Sequence, residues 1–329
     1  MEYRTLGRTG ISVSHLGLGG LFVSKVGGEY DQGKAAIDRA LSLGINYIDT
    51  APGYSNSEEV LGKALADVNQ PLVMSTKLGG RPDPFDPKNA AALKQSIDDS
   101  LTLLGRDVID VLMIHEPERP GQHDWWDDFD AVQGPVLNVL DEAKAAGKIR
   151  YTGLGGTTTS YLAHQIRTGM FDVVLTAFNS SMLWREAELE VIPAAVEQGM
   201  GIVSGSPLQQ GALAQRYDDV IDEGRPWLSK PRRDQYRELY RFLDELNMPV
   251  AELAMRFVLS NPHIHSVLTG VRSVEEVDLN VAAEAKGPLS PGVLQRLDDI
   301  YAICPMRPCE EPFGLPFRWT ARGPGRAGR

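Results

Sequence analysis

Cysteine is nearly missing from this chain: two residues in 329, Cys304 and Cys309. Two cysteines cannot build the disulfide framework of a small secreted fold. A Cys-x4-Cys pair with no further cysteine or nearby histidine also supplies too few ligands for structural zinc, so no metal is expected. The pair reads as two reduced thiols. Long apolar runs are missing too. None is long enough to cross a bilayer, and the opening MEYRTLGRTGISVS has no apolar signal core. A cytoplasmic protein with no membrane partner is expected. Positive charge is short: 33 Lys+Arg face 44 Asp+Glu, a formal charge of -11. Such a surface repels phosphate backbones and argues against nucleic acid. No G-x-G-x-x-G turn follows the first strand, which counts against a doubly wound open sheet, and no internal repeat occurs. Nothing here fixes an oligomeric state.

What is present is ordinary for a globular protein, with 42% hydrophobic and 23% charged residues. Such a length buries a large core, and an α/β barrel of this size is routinely one domain. Residues 1–329 are therefore read as a single domain, with an irregular Pro/Gly/Arg-rich tail from about 305. Short β-branched runs alternate with amphipathic stretches. Asp31 to Gly44 reads as a helix, with Asp31 as N-cap and Ile37, Ala40, Leu41 and Leu43 as its apolar face. Strands follow at 46–48, 71–76, 108–114, 149–154, 171–176, 201–204 and 266–269. Helices are expected at 58–67, 88–104, 134–146, 158–168, 186–198, 249–260 and 273–285, with an extra helix in RDQYRELYRFLDEL. Strict alternation argues a parallel sheet. With a further strand near Leu16–Leu18 the count is eight, which fits an α/β fold of the (β/α)8 TIM-barrel type.

Active sites of such barrels lie at the C-terminal ends of the strands. The second strand delivers Asp49 there, followed by Tyr54; the third delivers Lys77 and the fourth His115. Each alone has an ordinary explanation: a loop cap, a packed aromatic, a solvated lysine, a satisfied histidine. Together they form a set. Reducing a carbonyl leaves charge on oxygen that must be protonated, and a tyrosine of pKa about 10 is a poor acid at neutral pH. An adjacent ammonium lowers that pKa, and a buried ammonium needs a carboxylate. An imidazole N–H can orient the carbonyl and stabilise its developing charge.

These residues lie in blocks that resemble the aldo-keto reductases: GRTGISVSHLGLGG, INYIDTAPGYSNSEEVLGKAL, STKLG, LMIHEPE, GKIRYTGLGG and TGVRSVEEVDLN, in order from about residue 3 to about 300. The resemblance implies an N-terminal β-hairpin closing the barrel, extra C-terminal helices, and a catalytic tetrad of Asp49, Tyr54, Lys77 and His115. It implies an extended NAD(P)(H) across the strand ends. Gly19, Gly20 and Leu21 would border the nicotinamide; Ser206, Leu208 and Gln210 the pyrophosphate; Gly270, Arg272, Ser273, Glu276 and Asn280 the adenosine phosphate. The chain departs from the common pattern in three places. Gly155-Gly156 stand where Ser-Asn usually hold the nicotinamide amide, Leu175 or Thr176 stands near an expected glutamine, and Gly205 replaces a stacking aromatic. Backbone amides of Gly155 and Gly156, the Thr157 hydroxyl and the Asn179 amide are the candidate substitutes.

The implied activity is an NAD(P)-dependent oxidoreductase acting on a small aldehyde, ketone or sugar. The alternatives are an NAD-dependent sugar dehydrogenase and a non-catalytic cofactor-binding regulatory subunit. Arg272, in a Gly-x-Arg-Ser register, tilts the cofactor toward NADP(H) over NAD(H), with Glu276 pulling the other way. Trp125 and Trp126, in the loop over 117–133, are read as rim aromatics for stacking on substrate; pinning that loop to the barrel is the equal alternative.

Overall fold

The computed structural model describes residues 1–306; the expectations for Cys309 and for the tail past 306 lie outside the described residues. The chain opens with two antiparallel strands, β1 (Tyr3–Thr5) and β2 (Ser12–Ser14), paired from Tyr3↔Ser14 to Thr5↔Ser12. The turn between them ends at Gly10, whose φ of 72° is left-handed backbone that glycine adopts without a Cβ penalty.

Strand and helix then alternate. The first half runs β3 (Leu16–Gly19), α1 (Tyr30–Ser42), β4 (Tyr47–Asp49), α2 (Ser57–Ala64), β5 (Val73–Leu78), α3 (Ala90–Leu104), β6 (Ile109–His115) and α4 (Pro135–Ala145). The second half begins with β7 (Ile149–Gly156), α5 (Thr159–Ile166), β8 (Val173–Ala177), α6 (Glu186–Leu189), α7 (Val191–Glu197) and β9 (Gly201–Gly205). It continues with α8 (Asp218–Glu223), α9 (Lys230–Leu246), α10 (Val250–Leu259), β10 (Ser266–Thr269), α11 (Val274–Ala285) and α12 (Pro291–Ala302). Strands β3 to β10 pair in parallel in that order, and β10 returns to β3, so the sheet is a closed eight-stranded barrel. This is the (β/α)8 fold with an N-terminal hairpin. Among the described residues no helix is long and apolar enough to cross a membrane.

Three elements differ from the sequence reading for local reasons. The helix expected over 186–198 is split at Glu190 (φ -135°, ψ -50°). Pro193 would block the backbone bond of a continuous helix; after the break it falls in the first turn of α7, where its missing N–H costs nothing. Helix α1 begins at Tyr30, so Asp31 lies inside the first turn and does not cap it. Helix α12 starts at Ser290-Pro291, a cap and first-turn pair that the periodicity reading passed over.

Two cores follow from strand alternation. Outward residues such as Ile48, Leu112, Leu154 and Ile202 pack under the helices. Inward residues, among them Tyr47, Val73, Val111, Met113, Val173 and Leu268, fill the barrel, and Leu6 and Val13 of the hairpin region join them from below. The lower end also buries His15, with 3% of its surface exposed. Burial pushes its pKa down to about 4, aided by Arg4 and His265 and opposed by Glu2. The Glu2 carboxylate lies 3.8 Å away.

A buried neutral histidine makes the fold acid-sensitive. In the unfolded chain His15 titrates near 6.5. Stability linked to it is therefore complete above about pH 6.5 and declines as pH falls toward 4, by about 3 kcal/mol in total. Urea midpoints measured from pH 7 to 4.5 should fall more steeply for the wild type than for His15→Gln, by the slope of about one proton. Equal slopes would remove His15 from the account.

Candidate active site

Barrel geometry brings four ionisable or aromatic side chains to one rim. Asp49 ends β4, Lys77 lies one residue from the end of β5, and His115 ends β6. Tyr54 comes from the turn after β4. That turn is held by Tyr54 N–H donating to the Ala51 carbonyl at 3.0 Å and Ser57 N–H to the Tyr54 carbonyl at 3.0 Å. Asp49 and Lys77 are 2% and 1% exposed. Lys77 Nζ donates to Asp49 Oδ2 at 2.7 Å and to the Thr50 carbonyl at 2.7 Å. Ser75 Oγ, two residues before Lys77 and so on the same inward face, donates to Asp49 Oδ1 at 2.8 Å. Both carboxylate oxygens therefore have donors. Lys77 Nζ stands 4.8 Å from the Tyr54 ring centroid. The Tyr54 and His115 rings meet edge to face, centroids 5.9 Å apart.

Electrostatics follow from this burial. Loss of water pushes the Tyr54 phenol up despite the neighbouring Lys77 charge, and Asp49 adds to the rise. The ammonium lowers the phenol, as expected of a neighbouring cation, but burial outweighs it. Burial works against charge on Lys77, but the Asp49 carboxylate beside it wins and the ammonium is held above its usual range. Burial and the Lys77 charge hold His115 far down, at about 3, so its ring is neutral near pH 7. The site thus offers a protonated phenol, a fixed ammonium and a neutral imidazole around one volume.

The rim opposite this set is nearly bare. Gly19, Gly155, Ala177 and Gly205 face inward from β3, β7, β8 and β9. A Cβ at Gly155 would lie 3.5 Å from Lys77 Cε, and one at Gly205 3.3 Å from Ala177 Cβ. Beyond the Ala177 methyl, these four positions put no side chain on this half of the rim.

The other expected cofactor positions fall into three groups. Gly20 is required by packing, since a Cβ there would sit 2.6 Å from Ser57 Oγ, which itself donates to the Gly20 carbonyl at 2.8 Å. Leu21 is half-buried next to it. After β9, Ser206 (φ 57°) and Gln210 (φ 53°) both adopt left-handed backbone, with Leu208 half-buried between them and Gln210 exposed. After β10, a Cβ on Gly270 would strike the Phe22 ring at 2.5 Å. The Arg272 guanidinium lies over that ring, 4.4 Å from its centroid. Ser273 caps α11, accepting from Glu276 N–H at 3.2 Å, and Glu276 Oε2 turns back to accept from Arg272 N–H at 2.7 Å. Asn280 is half-buried on the same helix.

Two candidate substitutes at the nicotinamide end are already engaged. Asn179 Nδ2 donates to the Thr157 carbonyl at 2.7 Å, and the Thr157 hydroxyl donates to Glu116 Oε2 at 2.8 Å. Three residues that the sequence reading left out also belong here: Ser75, Glu116 and Glu118. Strand alternation back from Lys77 could have found Ser75; nothing in the sequence marks the two glutamates as turned inward.

Trp125 and Trp126 correct an expectation. They are 0% and 4% exposed, not open rim aromatics. Trp125 Nε1 donates to the His115 carbonyl at 3.0 Å and Trp126 Nε1 to the Pro117 carbonyl at 2.8 Å. The two indoles fold the loop back onto its own base, because a buried N–H must find an acceptor and these carbonyls are the nearest chain. Trp125 also packs against Phe85 and His123, with centroids 5.4 and 6.0 Å away. Trp126→Ala should therefore cost about 3–5 kcal/mol, as for other large aromatics removed from a core. Trp126→Phe, which loses chiefly the N–H bond, should cost about 1–2 kcal/mol. Thermal and urea unfolding read both; unchanged midpoints would return these residues to a surface role.

Comparison with known proteins agrees with the geometry. The profile of the Aldo/keto reductase family matches residues 15–302. The chain is 31% identical over 297 residues to L-galactose dehydrogenase of Arabidopsis thaliana, covering 86% of this chain and 88% of that protein. It is 30% identical over 324 residues to pyridoxal 4-dehydrogenase of Microbacterium luteolum, covering 85% and 92%. Among solved structures, an aldo-keto reductase from Bacillus halodurans in its holo form superposes with a TM-score of 0.74 at 27% identity, covering 91% of this chain and 96% of that one. The chain belongs to the aldo/keto reductase family.

Proposed function

We propose that this protein moves a hydride between NAD(P)(H) and a small carbonyl or alcohol, with Tyr54 exchanging the proton. The observation that carries the reading is the buried Lys77–Asp49 pair set against Tyr54 beside a bare, side-chain-poor rim. The bound dinucleotide supplies or accepts the hydride. Everything else falls to the chain. His115, kept neutral, offers an N–H to the substrate oxygen whatever the pH between about 5 and 9. Tyr54 keeps its proton until charge develops on that oxygen, because burial disfavours the phenolate in the resting site. Lys77 then compensates the phenolate, and Asp49, bonded by both Ser75 and Lys77, keeps the ammonium in place. The same groups run in reverse for alcohol oxidation. An intact set of four supports an enzyme over a regulatory binding subunit.

The substrate class is a small aldehyde, ketone or sugar, or the corresponding alcohol. The names of the two curated relatives favour testing aldoses and alcohols in the oxidative direction as well. A panel of aldehydes, ketones, aldoses and polyols with both cofactors, followed by absorbance of the reduced nicotinamide, tests the activity. In the best reaction found, Tyr54→Phe should lower kcat by roughly 10²–10⁴-fold while cofactor affinity changes little. Near-normal turnover would end the assignment of the proton to Tyr54.

Cofactor preference turns on two side chains. Glu276 is tied back to the Arg272 N–H, which draws one carboxylate oxygen away from a ribose. The Arg272 guanidinium is held flat by Phe22 at the start of α11, where a 2′-phosphate would gain charge-assisted bonds. This favours NADP(H) slightly over NAD(H). Fluorescence titration should give tighter binding of NADPH and a selective loss of it in Arg272→Ala. Equal or tighter NADH binding, unchanged by that substitution, would reverse the preference.

A further inference from the structure

The carboxylate of Glu118 is out of place for a surface loop. It is 1% exposed and lies three residues past His115, against the end of β7. Its Oε1 accepts from Thr157 N–H at 2.5 Å and Thr158 N–H at 2.8 Å. Its Oε2 is buried and has no hydrogen-bond partner. Burial, with the nearby Glu116, pushes the group up to about 7, the backbone N–H groups of Thr157, Thr158 and Glu118 itself only partly offsetting it. A buried carboxyl in that condition is short of donors.

Gly156 explains how it got there. A Cβ at position 156 would lie 2.5 Å from Glu118 Oε2 and 2.7 Å from Oε1. The carboxylate thus fills the space into which a side chain at 156 would project. Beside it, Gly155 is flush with Lys77. A nicotinamide whose reacting carbon faces Tyr54 carries its amide on the neighbouring ring carbon, so that amide falls at this rim. Of the other nearby polar groups, Asn179 Nδ2 donates to the Thr157 carbonyl, the Thr157 hydroxyl donates to Glu116 Oε2, and Arg119 donates to that same oxygen.

We propose that Glu118 supplies the hydrogen-bond acceptor for the carboxamide N–H of the bound nicotinamide, in place of the side chain that position 156 lacks. The inference rests on the dinucleotide reading above. It makes Glu118 a cofactor-positioning residue drawn from the β6 loop, paired with Gly156. The competing role is an anion that does no more than hold the Thr157–Thr158 turn leading into α5, a capping role in the loose sense.

Binding of two probes separates these roles. One is the reduced dinucleotide, with or without the 2′-phosphate, whichever binds tighter. The other is its 3-acetylpyridine analogue, which carries a methyl ketone and so no amide N–H. In fluorescence titrations the wild type should prefer the natural dinucleotide by about tenfold or more, the scale of a hydrogen bond to a charged acceptor. Glu118→Gln keeps the volume and can still cap α5 through its oxygen, but then turns N–H2 toward the ligand; it should lose the preference while melting normally. The double variant Glu118→Ala/Gly156→Asn, which relieves the clash and restores a side-chain amide at 156, should regain it. A preference that persists in Glu118→Gln, or none in the wild type, would overturn the proposal and leave the capping role. Failure of the folded wild type to bind any nicotinamide dinucleotide would overturn the proposed function along with it.

Discussion

A lysine with 1% of its surface exposed stays charged only if the chain around it supplies an anion and hydrogen bonds. At Lys77 it does so three ways: Asp49 Oδ2, the Thr50 carbonyl and the nearby Tyr54 phenol. Such a pair contributes little net stability, since desolvation consumes most of the attraction, but losing one partner leaves a bare buried charge. Its consequence is positional. Asp49 must end β4, Lys77 must sit near the end of β5, and Ser75 must lie beside Asp49 in the register of the two strands. Desolvation keeps His115 neutral and Tyr54 protonated; the Lys77 charge reinforces the first state and opposes the second.

Around that pair, the glycines of the rim owe their identity to neighbours. Gly20 makes way for Ser57, Gly270 for Phe22, Gly156 for Glu118. Each lets two loops approach more closely than a Cβ would allow. A residue that looks like a ligand-contacting glycine in the sequence is therefore also a packing requirement, and the two roles are compatible: a bare backbone is what a flat ring can lie against. In the proposed reaction the dinucleotide would lie across this surface, with Arg272 and Phe22 at one end and Glu118 at the other.

The architecture was legible because its causes are local and periodic. Near-continuous apolar runs such as VIDVLMI mark strands covered on both faces, and stops at Gly105 and Gly147 mark helix ends in left-handed backbone. Boundaries were less legible where tertiary packing chose among caps, as at Tyr30 and Asp31, or where one proline decided a break, as at Pro193. The tetrad positions were readable because each occupies or adjoins a strand end, and the barrel points such ends at one volume. The state of the groups was not readable. The Tyr54 phenol is raised by burial that no spacing reveals, and the two tryptophans of the 117–133 loop are enclosed by their own chain.

By itself, then, the sequence determined the order of elements, the closure of eight parallel strands, and which residues stand at their ends, because alternation and helix stops depend on residues close in the chain. Only the tertiary structure decided which polar groups are left over. Where Asn179 and Thr157 direct their donors, whether Glu276 turns to Arg272, and whether an oxygen of Glu118 remains unpaired are sums over partners 4 to 41 residues away. Hydrogen bonds saturate, so each partner taken removes another choice, and that accounting closes only when the loops at the rim are packed together.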